Sequence, residues 1–294
     1  MKTVFLQKVA EKLNFSIKQV ANIDQMQSEG ATIPFMSRYR KEATGNMDEV
    51  QIGDVVEQIK YFTELDKRKE TVLKTIEASG KLTPALQDRI ERCFDATELE
   101  DLYLPYKPKR KTRSSVALEK GLEPLAASLF AQAPGNPEAE AAAFLNEQVK
   151  DIREALDGAA DIIAEWISEN EQARNTVRRL FNDSALLVSR LLPAKKNEEA
   201  ARKYLDYFEF SERLSQSPSH RLLAIRRGEK EGFLSMDISI EKEKALEALG
   251  RIFIVASNEK SARVKMAMED GYDRLLKPSI ETEFRVLSKN KADE

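Results

Sequence analysis

The 294-residue sequence contains one cysteine, one histidine and one tryptophan. A single thiol, Cys93, excludes an internal disulfide framework. With His220 as the only imidazole, it also excludes a zinc site built from several Cys and His ligands. Glycine (11) and proline (10) are scarce too, so the frequent turns of an all-β chain are missing. No apolar run nears the ~20 residues of a membrane helix. Charges interrupt the N-terminal Met-Lys-Thr-Val-Phe-Leu-Gln-Lys too often for a secretory signal. These absences predict a cytoplasmic protein with no membrane partner. Excess charge is also absent: 47 Lys and Arg against 50 Asp and Glu leave −3. A polyanion-binding surface must therefore be local.

Patterns of catalysis are missing as well. Gly80-Lys81 is followed by Leu82, so no phosphate-cradling P-loop exists, and there is no G-x-G-x-x-G. A Ser-His-Asp or Cys-His pair would have to use His220, which sits in Ser217-Pro218-Ser219-His220-Arg221 at a predicted helix start. Capping or packing is the expected role there. No calcium-loop signature is present. The sequence predicts no enzyme, no cofactor and no metal site.

What is abundant is helix-forming residue types, with 33% charged and 41% hydrophobic side chains. Residues 3–13 put Val4, Phe5, Val9 and Leu13 on one face, and Ser16 with Gln19 forms a capping box for the next helix. From Asp48 to Ser79, apolar residues recur at Ile52, Val55, Ile59, Phe62, Leu65, Val72 and Ile76. That period is helical, and the helix would be roughly 45 Å long. Thr83-Pro84 starts another helix, and Thr97 with Glu100 reads as a further capping box. Ala-rich helices are expected at 123–132 and 138–167, the second carrying Ile162, Ile163, Trp166 and Ile167 into the core. Others follow at about 171–181, 198–208, from Ser217 to near Gly228, and at 259–276 and 278–289, the last two split by Pro278. Cys93 reads as a small buried hydrophobe. Short β segments are predicted near 233–240 and 252–256. The fold class is mostly α: a multi-helix array with one long helix. Its expected domains are 1–195 and 196–294. The final helical pattern meets no Gly or Pro stop, which predicts a chain cut inside a longer protein.

The densest local signal lies at 95–113. Four acids in seven residues (Asp95, Glu98, Glu100, Asp101) precede five basic residues in seven (Lys107, Lys109, Arg110, Lys111, Arg113), with Tyr103 and Tyr106 alongside. Pro105 and Pro108 bar a regular helix and predict an extended, exposed segment. Two readings stay open: phosphate neutralisation with base stacking, or a solvated loop whose charges pair with the upstream acids. A second cluster, Arg38, Arg40 and Lys41, reads as a helix face with Tyr39 packed inward. A third, Arg221, Arg226, Arg227 and Lys230, surrounds Gly228 and Gly232, where turn geometry is the simplest role for the glycines.

Several stretches resemble the Tex family of transcription accessory proteins. They are Ala31-Thr32-Ile33-Pro34-Phe35-Met36-Ser37-Arg38-Tyr39-Arg40-Lys41-Glu42-Ala43-Thr44-Gly45, Thr97-Glu98-Leu99-Glu100-Asp101-Leu102-Tyr103-Leu104-Pro105-Tyr106-Lys107-Pro108-Lys109-Arg110, Pro218-Ser219-His220-Arg221 with Arg227-Gly228-Glu229-Lys230-Glu231-Gly232, and Leu275-Leu276-Lys277-Pro278-Ser279-Ile280-Glu281. The resemblance implies a bacterial helical scaffold, with a long central helix and a helix-turn-helix-like region, that binds DNA or RNA without sequence preference and associates with RNA polymerase or other transcription machinery. It also implies that an RNase H-like domain, helix-hairpin-helix motifs and an OB-fold that supplies much of the family's nucleic-acid binding lie beyond this sequence. The other expectation is a protein-interaction and assembly module with no nucleic-acid affinity of its own.

Overall fold

Helix starts fall where a side chain can satisfy a free backbone N–H. In the computed structural model, which describes residues 2–195 and 198–293, α1 spans Thr3–Leu13 and ends at Asn14 in the left-handed region (φ 57°). Ser16 and Gln19 form the expected capping box of α2 (Ile17–Ser28). Thr32 caps α3 (Ile33–Tyr39), with Pro34 in its first turn. A single turn, α4 (Lys41–Thr44), follows and stops at Gly45 (φ 71°). The 30-residue α5 (Glu49–Ala78) starts from a second capping box, Asp48 with Gln51. Its 3.6-residue stripe of Ile52, Val55, Ile59, Phe62, Leu65, Val72 and Ile76 is buried. α6 (Pro84–Arg92) and α7 (Ala96–Tyr103) complete the first of two compact units, which runs to Lys107. Phe5 stacks on Phe62 at 5.5 Å, with Phe94 edge-on to both. Fully burying one such ring contributes roughly 1.5–3 kcal/mol.

The second unit begins at Pro108 and has its own core. Its helices are α8 (Arg113–Glu119), α9 (Glu123–Ala131), α10 (Pro137–Ala142), α11 (Ile152–Glu169), α12 (Glu171–Ser184), α13 (Ser219–Lys230), α14 (Lys242–Phe253), α15 (Glu259–Gly271) and α16 (Lys277–Asp293). α11 buries Ala155, Leu156, Ala159, Ile162, Ile163 and Ile167 against its neighbours, and Trp166 packs on the same core from a half-buried position. Strands β1 (Leu186–Leu191), β2 (Glu209–Arg213) and β3 (Leu234–Ser239) form an antiparallel sheet of order β2-β1-β3, with Val188 opposite Ser211 and Asp237.

The mostly-α expectation holds, with local corrections. Residues 252–256 are no strand: Ile252 and Phe253 finish α14, whose buried Ala245, Leu249 and Phe253 keep helical spacing, and 254–256 are irregular. β3 pairs with β1, which pairs in turn with β2, so the sheet has three strands among the described residues. The expected helix 138–167 is two. Asn146 accepts backbone N–H bonds from Gln148 and Val149, drawing the chain out of helix, and Asp151 caps α11 by accepting from Glu154. The cap of α7 is Asp95, not Thr97. Residues Glu199–Tyr207 are 3₁₀ rather than α. Pro278 does not split the last pair of helices, because a π-turn over Tyr272–Leu276 carries α15 into α16. Gly228 lies inside α13, where an added Cβ would meet Leu234 Cδ1 at 2.6 Å, and only Gly232 (φ 76°) is a turn glycine. The expected boundary at 195/196 falls inside the second unit, between β1 and the strands it pairs with, and Lys196 lies outside the described residues.

Candidate nucleic-acid interface

The basic strip starts where α7 runs out. Asp95 caps α7, Glu98 fills its first turn, and Pro105 tightens the exit into a 3₁₀ turn over Leu104–Tyr106. Lys107 (φ −62°, ψ 129°) is extended, and no regular element resumes until Thr112 caps α8 with Ser115 in a capping box. Lys107, Arg110, Lys111 and Arg113 are exposed. Among the described residues none of the four makes an ion pair, although Arg113 lies close enough to Asp161 to act on its carboxyl.

Lys109 behaves differently. Its Nζ donates to Glu165 and bridges to Glu169, which lie one turn apart on α11. Desolvation works against the Lys109 charge, but the bonds to the two carboxylates outweigh it and hold the pKa above its ordinary value. Burial pushes the Glu169 carboxyl up despite the ammonium beside it. Lys109 therefore fixes the strip to the second unit instead of reaching outward.

The upstream acids do not neutralise the strip. Glu100 takes a bidentate pair from Arg68 at 2.6 and 2.9 Å, Asp101 is buried, and Asp95 serves as a cap. The tyrosines depart from the expected stacking role. Tyr103 is buried, with the Arg68 guanidinium 5.2 Å over its ring. Tyr106 is half-buried against the first unit's core.

In the second cluster, Arg38 pairs with Glu49 at 3.4 Å while Arg40 and Lys41 are exposed. Tyr39, expected inside, is 72% exposed. In the third, Arg221 pairs with Glu212 and lies over Phe210, and Arg226 donates to the carbonyl of Arg285 at 3.1 Å. Both are absorbed by the fold, leaving Arg227 and Lys230 exposed. His220 is exposed in the first turn of α13 and makes no capping hydrogen bond, so neither capping nor packing describes it. Cys93 is buried as expected, with its thiol donating to the Asp95 carbonyl and its pKa pushed by burial to about 11. Among the described residues no group of three or more His, Cys, Asp or Glu could hold a metal, and no helix is long and apolar enough to cross a membrane.

Fold and site together define a mostly helical scaffold carrying an exposed cationic loop. The chain belongs to the Tex family: residues 132–285 match the Tex central region-like model, and residues 3–77 match the Tex-like protein N-terminal domain. It is 40% identical over 235 residues to the transcriptional accessory protein Tex of Neisseria gonorrhoeae, covering 80% of this chain and 31% of that protein. Protein YhgF of Escherichia coli is 40% identical over 245 residues, 83% of this chain and 31% of its own length. The human S1 RNA-binding domain-containing protein 1 is 26% identical over 295 residues, 95% of this chain and 29% of its own. The chain thus spans about a third of the length of these relatives.

Proposed function

We propose that this chain is the helical scaffold of a transcription accessory protein acting in the bacterial cytoplasm, and that its strip takes the phosphate backbone of DNA or RNA next to the transcription machinery, RNA polymerase included. The observation that carries the reading is that Lys107, Arg110 and Lys111 on the irregular segment, and Arg113 at the first position of α8, stand exposed and make no ion pair among the described residues. Cations so placed exchange condensed counterions for phosphates and read no base edges, so binding is insensitive to sequence and weakens with salt. The relatives' names, transcriptional accessory and S1 RNA-binding, support the assignment. No reaction centre enters it.

The test is a salt titration of DNA and RNA binding by the chain and by a variant carrying Lys107→Ala, Arg110→Ala, Lys111→Ala and Arg113→Ala. The expected result is weaker binding and a salt slope lower by about 0.7–0.9 for each phosphate no longer neutralised. An unchanged slope removes the strip from the interface.

Lys109 favours the second reading, an assembly module. Its salt bridges to Glu165 and Glu169 show how a cation of this strip seats on an acidic helix. If that reading holds, the chain binds neither nucleic acid at low salt, and the four-alanine variant changes association with a protein partner only.

A further inference from the structure

The outward Tyr39 has a context that packing does not explain. In α3, Met36 and Ser37 turn into the first unit while Phe35, Arg38 and Tyr39 turn out. The Phe35 and Tyr39 rings, one helical turn apart, lie 5.5 Å between centroids, and 40% and 72% of the two residues is exposed. The Arg40 guanidinium sits 5.6 Å from the Phe35 ring centre. Scattered exposed apolar side chains are ordinary. A pair of adjoining aromatic rings flanked by cations is not scattered.

Phe35 and Arg40 also form one wall of a groove of about 700 Å³, completed by Asn22, Gln25 and Met26 of α2 and by Glu29. Such a volume suits a small organic group. Asn22 donates to the Ala43 carbonyl at 2.8 Å, and Gln25 donates to Glu29 at 3.0 Å. Each amide keeps one N–H and its carbonyl oxygen free of hydrogen bonds among the described residues. Carboxamides with a donor and an acceptor to spare match the edges of a splayed base. Glu29 repels phosphate from its part of the groove, so a strand's backbone must pass on the side of Arg40 and Lys41, both exposed and without an ion pair among the described residues.

We infer that Phe35, Tyr39 and Arg40, with the amides of Asn22 and Gln25, form a stacking site for the bases of single-stranded nucleic acid. This platform shares its class of ligand with the strip but none of its residues. Every base has a π-face, so the platform is sequence-tolerant, whereas a duplex keeps its bases stacked and out of reach. A protein helix is the poorer occupant, because amides and a carboxylate line the groove where an apolar stripe would need hydrocarbon.

The experiment measures binding of the full chain to fluorescent single-stranded oligonucleotides of about ten nucleotides and to a duplex of equal length. Tyr39→Ala should weaken single-strand binding about tenfold, and Tyr39→Phe should retain it. Duplex binding and its salt slope should stay unchanged in both. A 4-thiouridine oligonucleotide should photo-crosslink to Phe35 or Tyr39. Tyr39 is so exposed that its loss leaves the fold intact, which circular dichroism checks. Single-strand affinity untouched by Tyr39→Ala, an equal loss in Tyr39→Phe, or a variant that loses only a protein partner overturns the stacking site. The two proposals fail separately. A lowered slope in the strip variant with a neutral Tyr39→Ala retains the strip alone. The reverse pattern retains the platform alone.

Discussion

Lys109 and its neighbours differ by one chemical fact, a pair of carboxylates within reach. Nothing local announces it, because Glu165 and Glu169 are more than fifty residues away and become adjacent only through the i, i+4 spacing of α11. Composition therefore reveals a five-cation run but not which cation the fold consumes. Lys109→Met leaves two carboxylates facing each other and should cost about 1–3 kcal/mol, read by urea unfolding. The pH dependence follows from the direction of the shift. A lysine whose folded pKa is raised stabilises fully below its ordinary value of 10.5 and ceases to do so as pH rises through the folded pKa. The stability gap between wild type and variant should be flat through neutrality and close in the alkaline range. Cys93 gives a second test. With its pKa near 11, only about one thiol in a thousand is ionised at pH 8. Native protein should resist thiol reagents, and labelling should follow unfolding.

Among the elements, those with many turns were legible and short ones were not. α5 and the caps at Ser16 and Thr83 follow from period and capping chemistry. The start of α11 was also written in the sequence, as Asp151 three residues before Glu154, but a run of alanines that suits helix throughout concealed it. β1 and β2 are five or six residues long and their partners are distant, so Leu-Leu-Val-Ser-Arg-Leu passes equally for a helix tail. The seven-residue α3 has too few turns to say which way Tyr39 points. Close helix approach leaves a sharper mark. An added Cβ on Gly271 would meet the Ala164 carbonyl oxygen at 2.8 Å and its Cα at 3.1 Å. Backbone cannot yield as a flexible side chain does, so Gly271→Ala should destabilise the second unit by about 1–3 kcal/mol. The measurement is the urea midpoint followed by Trp166 fluorescence, since Trp166 packs on that unit's core.

At the scale of the molecule, each unit has its own core, and the chain passes from one to the other through the strip. An irregular, solvent-facing run rich in Lys and Arg is where a protease should cut first. Limited trypsin digestion should nick between Lys109 and Arg113 and leave two resistant pieces, with saturating nucleic acid slowing the cut. A first cut elsewhere, or no protection, contradicts the exposure assigned to these residues. The anchoring of Lys109 has one more consequence. A tether pinned near its middle has already surrendered part of its chain entropy before any ligand arrives, so capture costs it less. Unpinning it should weaken binding even though Lys109 itself touches no phosphate.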